Sequence, residues 1–335
     1  MNADVIDTAT TVLRVDRRCL DRLSARGEIS AAARDFALEL IEPPRRWGVW
    51  VARATTVIGA ALVLSGIVYF FAFNWNQIPP LVKLGAIAAM IAAAFSSVAV
   101  LGFGRLVSDV AGSAAVMLVG VFLAVDGQIH QTGADAWQLF VGWAGLTFAW
   151  ALLAGSAATW AIWLTVADLG LILWWGEMRP RHGEGLGLPL ALILFDGAFL
   201  VAREALVAKG WTWPAGRWTR IFLVLPILAA TTMAAFLLID RRRAWEAEEW
   251  LALAVVPTVL VGCFAVYRKR LPDLAVLSAT AIAACSVADL LLFQLMTSGG
   301  RSGDIGTFFV MGIASLSLFA GAVAWLRGVA RTLEG

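Results

Sequence analysis

Three aspartates stand inside long apolar runs of this sequence: Asp168 between Leu164 and Gly170, Asp196 between Leu194 and Gly197, and Asp289 between Ser286 and Leu290. A charge in the middle of a membrane-spanning helix costs roughly 2.5–3.5 kcal/mol on insertion scales. Such a carboxyl therefore stays protonated, pairs with a group on another helix, or relays protons. Asp168 and Asp289 fall near mid-run and are candidates for a ligand or proton site, with Ser286 and Gln294 close enough in sequence to extend a polar strip from Asp289. Asp196 and Arg203 lie seven residues apart, on one helix face but separated by about 10 Å of rise, too far to pair. Arg203 and Glu204 are expected to reach the membrane interface by snorkelling.

The densest polar segment is Asp126-Gly127-Gln128-Ile129-His130-Gln131-Thr132-Gly133-Ala134-Asp135, which contains no Lys or Arg. A helix continued through it places Asp126 beside His130, and an acid there fixes the imidazole tautomer and favours its protonation. Asp126, Gln128, His130 and Asp135 are thus candidates for a proton or polar-ligand site, with a capped, hydrogen-bonded loop as the alternative. Asn74, at the end of the first apolar run, could join them from the same side. Two side chains do not make a metal site, and HExxH and CxxC spacings are absent, as are GxSxG and the phosphate-binding loop. No catalytic residue, metal or cofactor is expected, and His182 reads as a solvated loop residue.

What must position these groups is membrane helices. The 335 residues are 60% hydrophobic and only 15% charged, with 16 Trp and 18 Phe, and their mean hydropathy is +0.80. A soluble globule is about 45–50% apolar and about 25% charged. A net charge of +2 spread between apolar runs excludes a nucleic-acid partner. Three scattered cysteines exclude a disulfide framework.

About ten spans are expected, over 49–73, 81–103, 109–125, 138–154, 157–175, 186–206, 218–239, 250–267, 272–293 and 305–327. They are continuously apolar, without the alternation of a transmembrane strand. The fold class is therefore an all-α polytopic integral membrane bundle. It divides into a cytoplasmic helical hairpin over 1–48, the spans over 49–327 and a short tail over 328–335. The polar first segment does not read as a cleavable signal. Seven basic residues, Lys83, Arg179, Arg181, Arg241, Arg242, Arg243 and Arg301, fall on one side and the other 19 of the 26 on the opposite side. That bias puts both termini in the cytoplasm. Most tryptophans, among them Trp174, Trp175, Trp211, Trp213, Trp218 and Trp250, fall at run ends and read as interfacial anchors. Gly59, Gly66, Gly112, Gly120, Gly142 and Gly145 read as small residues admitting close helix approach.

Leu23-Ser24-Ala25-Arg26-Gly27-Glu28-Ile29-Ser30, Asn74-Trp75 followed by Lys83, and Gly127-Gln128-Ile129-His130 followed by Asp135, Trp137 and Trp143 together resemble a bacterial family of predicted membrane proteins, domain of unknown function 2157. The resemblance covers about the first 155 residues. It implies a multi-pass protein of the bacterial inner membrane and carries no activity with it. Three functional classes follow from the residues. One is a transporter or channel-like protein for a small polar solute or protons, which needs a polar cavity reaching mid-membrane. The second is a non-transporting scaffold, sensor or assembly partner, with residues 1–48 docking another protein. The third is an enzyme on lipid-linked substrates, for which nothing positive speaks. The lipid bilayer is the one partner common to all three, and oligomeric state is open.

Overall fold

The computed structural model describes residues 17–41, 75–131, 133–178, 185–239, 247–297 and 305–334, with isolated helical positions between Gly48 and Tyr69. Most of the expected span 49–73, Asn74, His182, the arginines at 179, 181, 241–243 and 301, and the first 16 residues lie outside the described residues. The chain divides into two compact units, Met1–Ile78 and Pro79–Gly335.

In the first unit, α1 (Arg17–Ala25) and α2 (Ala31–Ile41) are joined by a short turn in which Gly27 takes a positive φ. Ser30 caps α2, its hydroxyl accepting the Ala33 N–H at 3.1 Å. Arg34 of α2 donates to Asp21 of α1 at 2.8 Å and 2.6 Å. Both side chains are partly solvated, so this bond orients the two helices more than it stabilises them.

The second unit is all helix among its described residues: α3 (Pro80–Leu101), α4 (Leu106–His130), α5 (Ala136–Ala154), α6 (Ala157–Met178), α7 (Gly187–Ala208), α8 (Arg217–Ile239), α9 (Ala247–Lys269), α10 (Leu274–Thr297) and α11 (Ile305–Glu334). Eight of these are long and apolar enough to cross a bilayer. The exception is α7, which has the length, 22 residues or about 33 Å, but carries Asp196, Arg203 and Glu204. Eight such helices, rather than about ten, is the count over the described residues.

A helix in lipid satisfies its own backbone hydrogen bonds, so its side chains decide only what it packs against. The most buried of the eight is α8, with 44% of its most apolar 18-residue stretch enclosed against 28% or less for the same stretch of the others. Its Val224 and Leu228 join Tyr267, Val276 and Leu277 of α9 and α10, while its Ala234 and Ala235 meet Leu186 and Leu190 at the start of α7 and Ala252 and Val256 of α9. Pro226 and Pro257 lie inside α8 and α9, each removing one backbone bond from its helix. The outer faces stay apolar: Leu81, Val100, Leu146, Leu194 and Leu316 are largely exposed, as lipid contact requires.

Tryptophans seated on glycines join α4 to α5. The Trp143 indole lies over Gly120, where an added Cβ would fall 2.5 Å from the ring, and Trp150 lies over Gly112. The Trp143 Nε1–H donates to the Val116 carbonyl at 2.7 Å. A Cβ added at Gly59, Gly66, Gly142 or Gly145 meets no atom within 4 Å, so the small-residue packing expected of six glycines holds for two, Gly112 and Gly120. α5 and α6 form the tight antiparallel hairpin expected at Gly155-Ser156, with Gly155 in the left-handed region. Trp163 of α6 donates back to the Ala144 carbonyl at 2.8 Å.

Candidate functional site

The expected polar segment is mostly helix. α4 runs on to His130, past the 125 expected from apolarity, which stacks Asp126 and His130 one turn apart. The imidazole Nδ1 lies 3.1 Å from a carboxylate oxygen of Asp126, with both side chains partly exposed. Gln128 is also exposed, but two residues further along the helix it turns away from that pair. Asp135 starts α5 as its N-cap: the Gln138 side chain accepts the Asp135 N–H at 3.2 Å. Asp135 thus terminates a loop and starts a helix, with no contact to Asp126 or His130 among its described bonds.

The membrane acids separate by partner. Asp289 accepts a hydrogen bond from the Ser315 hydroxyl, linking α10 to α11, so the polar contact comes from a neighbouring helix rather than from Ser286 or Gln294. Asp168 on α6 and Asp196 on α7 lie within electrostatic reach of each other. Asp196 is 1% exposed, and Asp168 Oδ1 and Asp196 Oδ2 are both buried without a hydrogen-bond partner. A cavity of about 350 Å3 opens beside the sequence neighbours of both acids, Ala167 and Phe195, walled by apolar side chains such as Val141 and Leu171.

Among the described residues, the largest polar arrangement is one that the spacing of residues does not announce. Arg203, expected to snorkel, is instead 5% exposed. Its Nε donates to the Pro214 carbonyl at 3.0 Å, its Nη2 to the Gly216 carbonyl at 3.1 Å and its Nη1 to Glu204 at 2.7 Å. Arg220 of α8 donates to both Glu204 oxygens, at 2.8 Å and 3.2 Å, and reaches Asp273 at 3.3 Å. Arg217 donates to Asp273 at 2.9 Å. The Tyr267 ring of α9 lies under the Arg220 guanidinium, 5.4 Å from it. One ion-pair knot therefore ties the end of α7, the start of α8, the end of α9 and the start of α10. The only signal in the sequence was the density of charge at these helix ends.

Asp273, outside the spans, also caps α10 by accepting the Ala275 N–H at 3.0 Å. Burial alone would raise its carboxyl. Hydrogen bonds from Arg217 and from the Ala275 and Val276 N–H groups, together with the Arg217 charge, outweigh burial and hold it below the usual value of 3.8. A group depressed in the folded state adds stability that is complete above its unfolded value and is lost as pH falls through the folded one. The melting temperature of the detergent-solubilised protein is therefore expected to fall on acidification below about pH 4. Asp273→Asn is expected to be less stable at neutral pH and to lose this part of the dependence. Equal acid slopes in the two proteins would remove Asp273 from the account.

Beside the knot, α6, α7 and α8 enclose a cavity of about 250 Å3 that Arg203 and Thr219 border and aromatic rings line. Trp213, expected as an interfacial anchor, stacks on Trp160 at 6.1 Å with an interplanar angle of 13°. Trp175, another expected anchor, covers Gly187 at the start of α7. Among the described residues no three His, Cys, Asp or Glu side chains are grouped to hold a metal ion.

No curated protein matches the chain, and no solved structure does. Residues 21–160, which carry most of α1, all of α2 to α5 and the Gly127–Trp143 motif, match the model of the family described as predicted membrane protein (DUF2157).

Proposed function

We propose that this is a multi-pass protein of the bacterial inner membrane, with both termini in the cytoplasm, that acts as a bilayer-resident sensor or assembly protein rather than as a carrier of polar solutes. The ion-pair knot carries this reading. Arg203, Glu204, Arg220 and Asp273 spend their charges on one another and on loop carbonyls, which fixes four helix ends where a carrier would need them to move. The same logic applies to Asp289, held by Ser315. Three cavities between the described helices are walled almost wholly by apolar side chains, which offer a polar solute little in place of its water. In this reading α1 and α2, with the rest of residues 1–48, form the cytoplasmic hairpin that docks a protein partner.

One observation favours a second reading. Asp168 on α6 and Asp196 on α7 lie within electrostatic reach of each other, each with a buried oxygen that lacks a hydrogen-bond partner, and two such acids can hold a proton or a small cation. In that case Asp126, Gln128, His130, Asp135 and Asn74 would form the polar approach from the outer side, and the chain would be a proton or small-solute transporter. Reconstitution in vesicles containing a pH-sensitive dye separates the two. A sensor or assembly protein is expected to give no proton flux above that of empty vesicles under an imposed gradient. A flux that Asp168→Asn or His130→Ala abolishes would overturn the first reading in favour of the second.

A further inference from the structure

We propose that the cavity between α6, α7 and α8 holds an acyl chain of an anionic phospholipid, whose headgroup rests on the surplus cations of the α7–α8 connection. The walls are Trp160 and Leu164 of α6, Phe199 and Leu206 of α7, Trp213 of the connection and Phe222 of α8. Trp160 packs on Phe199 at 5.6 Å and stacks on Trp213, so the aromatic walls are braced and the space is preformed. Ala202, at the mouth, is exposed on the outer face of α7. Trp211 and Trp218, about half exposed, mark the headgroup level, where amphipathic rings settle.

An acyl chain entering from the bilayer leaves one apolar medium for another, so its burial gives little selectivity. Selectivity must come from the headgroup, and the charge balance supplies it. Among the described residues of the α7–α8 connection and their ion-pair partners, Arg203, Lys209, Arg217 and Arg220 stand against Glu204 and Asp273. The Arg217 side chain is 61% exposed even while it holds Asp273, and Lys209 is exposed. Two positive charges therefore remain for a phosphate beside an apolar slot, which is the chemistry of an anionic glycerophospholipid. This site does not depend on whether the bundle conducts, because lipid retention is read without any flux.

Native mass spectrometry of the full-length protein, exchanged against phosphatidylglycerol or phosphatidylcholine with the same chains, tests it. A basic residue near the surface contributes roughly fivefold to anionic-lipid binding. Wild type is expected to retain phosphatidylglycerol at least about fivefold better than phosphatidylcholine. Lys209→Gln, an exposed change, is expected to remove about fivefold of that preference. Ala202→Phe, which fills the mouth, is expected to lower retention of both lipids. If that variant does not fold, Leu206→Trp is read in the same way. Glycerol phosphate, with the charge but no chains, is expected not to displace the lipid. Equal retention of the two lipids by wild type would overturn the proposal, since it would mean a slot for any chain. Undiminished phosphatidylglycerol retention in a folded cavity-filling variant would overturn it too.

Discussion

Replacing Glu204 with alanine is expected to destabilise the bundle by about 3 kcal/mol or more, because it strands two enclosed guanidinium groups at once. Glu204 is the carboxylate common to Arg203 and Arg220, accepting from the first at 2.7 Å and from the second at 2.8 Å and 3.2 Å. The side chains of Arg203 and Arg220 are 5% and 15% exposed, so water cannot readily replace the lost acceptor. Arg203 would keep the Pro214 and Gly216 carbonyls, and Arg220 would keep Asp273 and the Tyr267 ring. The cost therefore lies at the lower end of the roughly 3–5 kcal/mol typical of a broken buried pair. Glu204→Gln keeps one acceptor and the shape while removing the charge, and is expected to lose less. Thermal unfolding in detergent, followed by helical circular dichroism, reads all three proteins. Glu204→Ala melting with wild type would mean that the knot is solvated and contributes no more than surface pairs do.

How far the sequence discloses this arrangement follows from what each kind of pattern records. Continuous apolarity reports passage through lipid, so the helices from Pro80 to Glu334 were expected close to where they lie. It does not report where backbone hydrogen bonding stops. That is why α4 extends through Asp126 and His130, which are polar but still helical. Residue spacing encodes neighbours within one helix: the Asp126–His130 contact was legible at four residues' separation. The partners of Arg220 lie 16 residues away in Glu204 and 53 away in Asp273, and no periodicity connects them. For the same reason Arg203 was read as snorkelling, though the turn at Pro214 folds two carbonyls onto it. Tryptophan is ambiguous by nature, because one amphipathic ring suits both the headgroup level and a glycine-lined helix seam. Trp211 and Trp218 fit the first use, while Trp175 and Trp213 turn inward.

The seam between α4 and α5 leads to the second large effect. At Gly120 an added methyl group would stand 2.5–2.6 Å from three atoms of the fused Trp143 ring system. That ring cannot swing away cheaply, because its Nε1–H holds the Val116 carbonyl at 2.7 Å. Gly120→Ala is therefore expected to separate the helices or break that bond, at a cost of about 1–3 kcal/mol, and Gly120→Val to cost more. Gly142→Ala supplies the contrast: nothing lies within 4 Å of its added carbon, and alanine is the better helix former, so it is expected to be neutral or slightly stabilising. A double-mutant cycle isolates the clash. Trp143→Leu alone leaves a gap and an unmet interhelical bond, but in its background Gly120→Ala is expected to cost almost nothing, since the ring it would strike has gone. Additive losses in the cycle would mean that Gly120 matters for something other than the seat of Trp143, and the packing assigned to this family-matched stretch would have to be redrawn.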